Sequence, residues 1–230
     1  AVAAPELRNM GTIGGNICQS VRCPYYRNEY NDFPCLRKVQ GNLCFALTGY
    51  NRKYHSVFGA VNGCVAVCPS DVAIALVAMN GSVMTSANRT IAAADFFTAK
   101  VAPNGEGITT LNAGEIVTEI QVPTPAAGAK STYLKFAFRK SIDFAVVSVA
   151  AMATVSGGNA ANASIVLGGV YNTPRRAEAA QTAINGKALN ATNAAAAGDA
   201  AVTGAVALSQ NQYKLQIIKV LTRKALLALA

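Results

Sequence analysis

The sequence predicts an α+β chain of two units that meet near residues 126–130. Three observations predict it. Hydrophobic residues make up 52% of the chain and charged residues 13%, which supplies a real core and too little charge for disorder. All six cysteines lie between positions 18 and 68, so the first unit carries a feature the second lacks. The stretch after residue 130 reads as strands followed by helices, the pattern of an α+β unit. At about 150 residues per domain, 230 residues make one large domain or two small ones.

The elements follow in order. Arg8 to Asn16 reads as a glycine-bearing loop. A long loop follows, punctuated by Pro24, Pro34, Gly41, Gly49, Gly59 and Gly63. Its aromatic residues, Tyr25, Tyr26, Phe33, Phe45 and Tyr54 among them, argue for order around a buried centre. Ser70 or Asp71 stands as an N-cap to the apolar run Val72–Met79. Asn80-Gly81 is a turn signal, and Ser82–Thr85 reads as the returning strand of a hairpin. Ala92–Lys100 reads as a short helix, and Glu115–Val122 as a strand closed by Pro123 and Pro125. Ala126–Lys130 is small and reads as the boundary. Beyond it, Thr132–Phe138 alternates as a strand, and Phe144–Val155 is a buried strand or helix that periodicity does not separate. Ser164–Tyr171 is a strand with a Gly168-Gly169 pair. Ala177–Ile184 is helical, Thr192–Val206 is an Ala-rich helix interrupted at Gly198 and Gly204, and Gln212–Ala230 is amphipathic, with Leu215, Ile218, Leu221 and Leu226 on one face.

Twenty Lys and Arg against eleven Asp and Glu give a formal charge of +9. The basic residues are dispersed, with no basic run and no zinc-finger spacing, which argues against nucleic acid. Anionic groups held inside the fold are the other source of demand for positive charge. The longest apolar stretch, Phe144–Val155, is interrupted by Ser148 and Thr154 and falls short of the roughly 20 residues that span a membrane. Ala1–Pro5 shows neither the charged n-region nor the long h-region of a signal peptide, so a cytoplasmic location is expected.

Cys18, Cys23, Cys35, Cys44, Cys64 and Cys68 admit three readings. A disulfide framework suits small exported scaffolds better than a chain with an apolar core. Zinc favours two close pairs, and the tightest spacing here is Cys64-x3-Cys68. An iron–sulfur cluster tolerates wide, loop-borne spacing, because its thiolates converge from a folded-over loop.

Thr12-Ile13-Gly14-Gly15-Asn16 is a candidate anion cradle. Its two glycines let the backbone approach a ligand, and Thr12 and Asn16 add polar groups. It is neither a Walker A loop nor a Rossmann turn, and a plain Gly-Gly turn is the alternative.

At this point a resemblance becomes specific. Arg8-Asn9-x-Gly11-Thr12-Ile13-Gly14-Gly15-Asn16 resembles the second FAD-binding loop in the flavoprotein subunits of the molybdenum hydroxylase (xanthine dehydrogenase) family. Ser70-Asp71 before an apolar helix is similar to the segment that follows it there. The Cys-rich insertion between them resembles that of the flavin subunit of 4-hydroxybenzoyl-CoA reductase, which houses a [4Fe–4S] cluster. Tyr133-Leu134-Lys135-Phe136 with Arg139 and Asp143 resembles the start of the family's C-terminal domain. Leu167-Gly168-Gly169-Val170 with Pro174-Arg175 resembles that domain's later signature. The resemblance implies a PCMH-type FAD-binding domain over residues 1–125, its N-terminal part missing, with the iron–sulfur insertion at about 19–68. A CO-dehydrogenase-flavoprotein-like α+β domain over 126–230 would follow. The family's other FAD loop, a Gly-Gly-Thr/Gln segment, would precede Ala1.

Residue by residue, the resemblance places Thr12, Ile13, Gly14, Gly15 and Asn16 at the FAD pyrophosphate and adjoining groups. Ser70 and Asp71 follow, with Asp71 accepting from a ribose or ribityl hydroxyl. Val117 would cover the isoalloxazine, and Lys135 would stand near the ring. Their plainer roles are an N-cap for Asp71, core for Val117 and a solvated strand position for Lys135. The same pattern assigns the cluster to Cys23, Cys35, Cys44 and Cys64, with Cys68 competing for the fourth position. Cys18 would face the flavin or the core. His55 is either a ligand or, the stronger reading, a hydrogen-bonded loop histidine.

The function so implied is electron relay. Substrate would react on a molybdopterin-binding large subunit, electrons would cross a [2Fe–2S] small subunit, and FAD here would exchange them with NAD(P) or ferredoxin, with no acid–base catalyst in this chain. The alternative is a metal-stabilised assembly subunit without functional flavin.

Overall fold

The ambiguous apolar stretch at 144–155 is a strand, and its two faces explain why periodicity hides it. A computed structural model of the chain describes residues 2–30, 32–39, 41–101 and 108–230. Strand β5 (Val147–Ser156) pairs antiparallel with β4 (Ala129–Phe136) and β6 (Asn159–Gly168), and the short β7 (Arg175–Arg176) extends the sheet beyond β6. Val147, Val149, Ala151 and Ala153 enter a core with Ile184 of α6 (Glu178–Ile184), Ala194 and Ala197 of α7 (Ala191–Ala200), and Ile218 and Leu226 of α8 (Tyr213–Leu227). Ala150 points the other way and packs with Ile74 and Val77 of α4 (Asp71–Ala78). Both faces of its first half are dry, so apolar residues fill both and only Ser148 and Thr154 interrupt the run to Val155.

Helix α4 starts where Ser70 accepts a hydrogen bond from the Ala73 N–H at 3.0 Å, an N-cap in the expected place. Its end corrects one expectation. Asn80 takes φ 52°, and the Gly81 N–H donates to the Leu76 carbonyl at 3.0 Å. Asn80-Gly81 therefore terminates a helix rather than turning a hairpin. β1 (Ser82–Thr85) still pairs, between β2 (Thr90–Ala92) and β3 (Val117–Gln121). The helix expected at Ala92–Lys100 shortens to α5 (Ala93–Phe96), because Thr98 and Thr110 exchange backbone bonds with Ile108 and Phe96 instead.

The N-terminal part holds α1 (Pro5–Met10), α2 (Ile13–Ile17), α3 (Pro24–Arg27) and one 3-10 turn, Phe45–Leu47. The glycine loop is in fact helical over α2. The Thr12 hydroxyl accepts from the Gly15 N–H at 3.0 Å, which captures a free donor of the first turn. The cysteine loop builds its own small core from Val21, Cys23, Tyr25, Ala46, Cys64, Val65 and Ala66. Tyr25, Phe33 and Phe45 form a triangle with ring centroids 4.9–5.1 Å apart. Among the described residues no helix is long and apolar enough to cross a membrane.

Candidate functional site

Two sites emerge, one an open cleft and one closed. The cleft, about 640 Å³, is lined by Thr12, Ile13 and Asn16 from α2 and its cap, by Asp71 and Val72 at the start of α4, and by Lys135 of β4. This volume falls in the range of small-molecule and cofactor sites. The N-cap of α4 ties the elements together, since the Ser70 hydroxyl donates to Asn16 Oδ1 at 2.6 Å. Lys135 Nζ meets Asp71 Oδ2 at 2.7 Å, and the Asp71 side chain is 9% exposed. Gly14 and Val117 stand against each other rather than in the cleft: a Cβ at Gly14 would lie 3.5 Å from Val117 Cβ. Thus Thr12, Ile13, Asn16, Asp71 and Lys135 line the space, while Gly14, Gly15, Ser70 and Val117 form the layer beneath or beside it. Cys18 and Cys68 pack into the core behind it, and burial pushes the Cys68 thiol up to about 12. Burial, with Asp71 nearby, likewise raises Tyr133 well above its ordinary value.

The cleft also holds further cations. Arg8 and Arg22 line it with Lys135, against carboxylates Asp71 and Asp143. Both carboxylates are already ion-paired, Asp71 with Lys135 and Asp143 with Lys53 at 3.0 Å. The Arg22 guanidinium stacks 4.7 Å from the Phe144 ring, and its Nε is buried without an acceptor. A group with a diphosphate and hydroxyls fits this lining, the diphosphate matching surplus guanidinium and the hydroxyls matching Asp71.

The closed site lies in the cysteine loop. Cys23, Cys35, Cys44 and Cys64 line one cavity of about 10 Å³, together with Tyr25, Leu36, Arg37 and Phe45. None of the six cysteines is bridged to another. Among the described residues, no three His, Cys, Asp or Glu side chains stand within reach of a single metal ion. The sulfurs collect hydrogen-bond donors: Arg37 Nε and the Ala66 N–H reach Cys64 Sγ at 3.3 and 3.5 Å. His55 Nε2 lies 3.3 Å from Cys23 Sγ, which places the lone histidine beside a thiol. Burial pushes the Cys23 thiol up to about 12 and raises Cys44 as well, so neither is a nucleophile at neutral pH. Any metal loading here must displace their protons.

Polar ties fix the loop to the C-terminal unit. Lys214 Nζ, fully buried, donates to the carbonyls of Lys53, His55 and Gly169 at 3.0, 3.0 and 2.6 Å. Asn211 Nδ2 donates to the His55 and Ser56 carbonyls at 3.3 and 2.8 Å. Arg37 and Lys214 carry no motif. The available signal for Arg37 was its place between Cys35 and Cys44, and for Lys214 its place on the first turn of a helix otherwise read from its apolar face.

An open cleft over a capped helix, beside a two-layer α+β unit, defines a cofactor-binding module. Residues 1–125 match the FAD binding domain in molybdopterin dehydrogenase, and residues 132–229 match the CO dehydrogenase flavoprotein C-terminal domain. The chain belongs to the family of FAD-binding domains of molybdopterin dehydrogenases. It is 34% identical to the aldehyde oxidoreductase FAD-binding subunit PaoB of Escherichia coli (strain K12), over 95% of this chain and 65% of that subunit. It is 29% identical to the carbon monoxide dehydrogenase medium chain of Afipia carboxidovorans, over 97% of this chain and 62% of that one. The structure superposes on carbon monoxide dehydrogenase from Hydrogenophaga pseudoflava, solved without the Mo-pyranopterin moiety, with TM-score 0.66 and 26% identity, covering 98% of this chain and 62% of that one. The chain therefore spans under two thirds of these relatives' length.

Proposed function

We propose that the chain is the flavin- and cluster-carrying electron-transfer subunit of a molybdenum-containing hydroxylase, dehydrogenase or reductase complex. FAD-domain membership supports the flavin. The single observation that carries the rest is the convergence of four cysteines, out of six, on one cavity rich in N–H donors to sulfur. A cubane gives each thiolate its own iron and so holds its ligands farther apart than one ion does. The four thiols share a cavity, and among the described residues no three of them meet at one point. The present space is sized for one water, so loading draws the thiol-bearing segments apart.

On this reading the unit boundary falls at residues 125/126, and the insertion over about 19–68 is of the 4-hydroxybenzoyl-CoA reductase type. Thr12, Ile13 and Asn16, supported by Gly14 and Gly15, approach the diphosphate. Ser70 fixes Asn16, and Asp71 accepts from a sugar or ribityl hydroxyl. Val117 supports the ring side through Gly14, and Lys135 keeps positive charge beside it. Flavin and cluster, when bound, supply the redox chemistry; the chain's residues hold, orient and screen them. Partners are a molybdopterin-binding large subunit and a [2Fe–2S] small subunit, and the outer acceptor or donor is NAD(P) or ferredoxin. A cytoplasmic location suits unbridged thiols.

The test is flavin, iron and acid-labile sulfide analysis of the complex purified through this chain. FAD with roughly four irons beyond those of the small subunit is expected, and zinc in a colourless protein would overturn the proposal. Cys35→Ser should lose the cluster iron while the C-terminal core unfolds as in wild type; undiminished iron removes Cys35 from the ligand set. Asp71→Ala should weaken FAD binding by roughly 10- to 100-fold, the cost of one hydrogen bond to a charged group. Titration of flavin-depleted complex with FAD measures it, and unchanged affinity leaves Asp71 with its Lys135 ion pair alone.

A further inference from the structure

We propose that Arg37 is the fixed counter-charge of the cluster, donating through Nε–H to the Cys64 sulfur and through Nη1–H to an inorganic sulfide, and so favouring the cluster's reduced state. This rests on the cluster reading above.

The observations are independent of any motif. Arg37 is 2% exposed, among the largest fully buried side chains of the molecule. It lines the four-cysteine cavity, and among the described residues lining that cavity it is the sole charged one. Nε already reaches Cys64 Sγ at 3.3 Å, while Nη1 is buried with no acceptor. Among the described residues no carboxylate forms an ion pair with it. Lys214, the other deeply buried cation, has three carbonyl partners and lies against the loop stem instead.

A buried charge without a counter-charge is costly, and a guanidinium cannot shed its proton to escape that cost. Carbonyls do this for Lys214; for the unpartnered Nη1 of Arg37 an anion in the cavity would do it. A protonated thiol, a weak acceptor, would leave the charge uncompensated. A cluster held by four thiolates is a net anion, and it also presents sulfide acceptors for the free Nη1–H. Reduction adds one electron and no proton, so the anion grows by one charge while Arg37 stays cationic in both states. Attraction is therefore stronger in the reduced state, the direction in which charge and hydrogen bonds to sulfur tune such centres. A purely structural arginine would change stability and iron loading and leave the potential alone.

The experiment is an EPR-monitored redox titration of the intact complex, with the flavin couple as internal reference. Iron and sulfide analysis of the wild-type complex comes first: absence of a four-iron cluster there would mean that the cluster reading has failed. With the cluster present, Arg37→Gln should keep its iron and lower the reduced-to-oxidised ratio at fixed potential about tenfold, which is about 59 mV for a one-electron couple. Arg37→Lys, which keeps the charge, should stay within about twofold of wild type. An unmoved potential in Arg37→Gln overturns the inference while leaving the cluster reading intact, and an equal fall in both variants overturns the charge argument. Should Arg37→Gln fail to load iron, wild-type complex labelled with ¹⁵N-arginine decides. The reduced cluster should show an arginine-nitrogen hyperfine coupling that Arg37→Lys lacks, and its absence in wild type overturns the inference.

Discussion

Lys214→Met should destabilise the chain by about 3–5 kcal/mol, since it strands up to three buried carbonyls at about 1–3 kcal/mol each and recovers part of that through apolar packing. Lys214 extends from the first turn of α8 into the stem of the cysteine loop, and its three N–H groups match the carbonyls of Lys53, His55 and Gly169. Methionine fills the volume but donates nothing. The effect should reach the loop, because Lys53 and His55 lie in the segment between Cys44 and Cys64. Hydrogen exchange there should quicken together with the loss in urea-unfolding free energy. The pH dependence carries a sign. Burial pulls the folded Lys214 from 10.5 down to about 7. Between those values the unfolded chain binds the extra proton, so stability rises with pH across that window, by up to about 1.4 kcal/mol per unit. Below 7 both states are protonated and the contribution is flat. The variant should lack this slope. A loss under about 1 kcal/mol would mean that the carbonyls find other donors, and an unchanged slope would mean that another group sets it.

Much of this arrangement is legible in the sequence, and the illegible part has physical causes. Ser70 reads as an N-cap because a hydroxyl before an apolar run has little else to do, and it accepts from Ala73 N as such a residue should. The aromatic residues of the cysteine loop read as a sign of order, and they do pack ring to ring. Asn80-Gly81 misleads because left-handed backbone is common to hairpin turns and helix ends, and only the identity of the preceding element tells them apart. The stretch 144–155 hides its period because α4 covers one face of the sheet and α6–α8 the other. Arg37 and Lys214 escape notice for a different reason. A buried cation is recognisable only by what surrounds it, and their partners are a sulfur 27 residues away and carbonyls up to 161 residues away. The four thiols share a cavity through the folding of the whole loop, which pairwise spacing does not specify.

Gly168→Ala should cost about 2–3 kcal/mol, toward the upper end of overpacking, and should weaken FAD binding without touching the cleft. Gly168 ends β6 opposite Ser148 of β5, beneath α4. A Cβ there would stand 2.3 Å from Ser148 Oγ and 2.6 Å from Ile74 Cγ1, separations no real structure tolerates. Ile74 lies one turn into the helix that begins at Asp71. Relief therefore pushes the start of α4 away from the sheet and carries with it Asp71, its pairing with Lys135 and the Ser70–Asn16 bond. A fall in melting temperature of about 4–12 °C is expected for a chain of this size, with FAD affinity down about tenfold at temperatures where the fold persists. Gly158→Ala is the matched control. Gly158 has φ 80° and open space where its Cβ would go, in the β5–β6 turn. It should cost about 1 kcal/mol in backbone strain and leave FAD binding unchanged. Should both variants lose FAD alike, general destabilisation would explain the loss. Should Gly168→Ala lose stability and keep FAD, the helix start would be decoupled from the sheet. A loss of FAD specific to Gly168→Ala would tie the second unit's glycine signature to the geometry of the first unit's cleft, through one helix that both share.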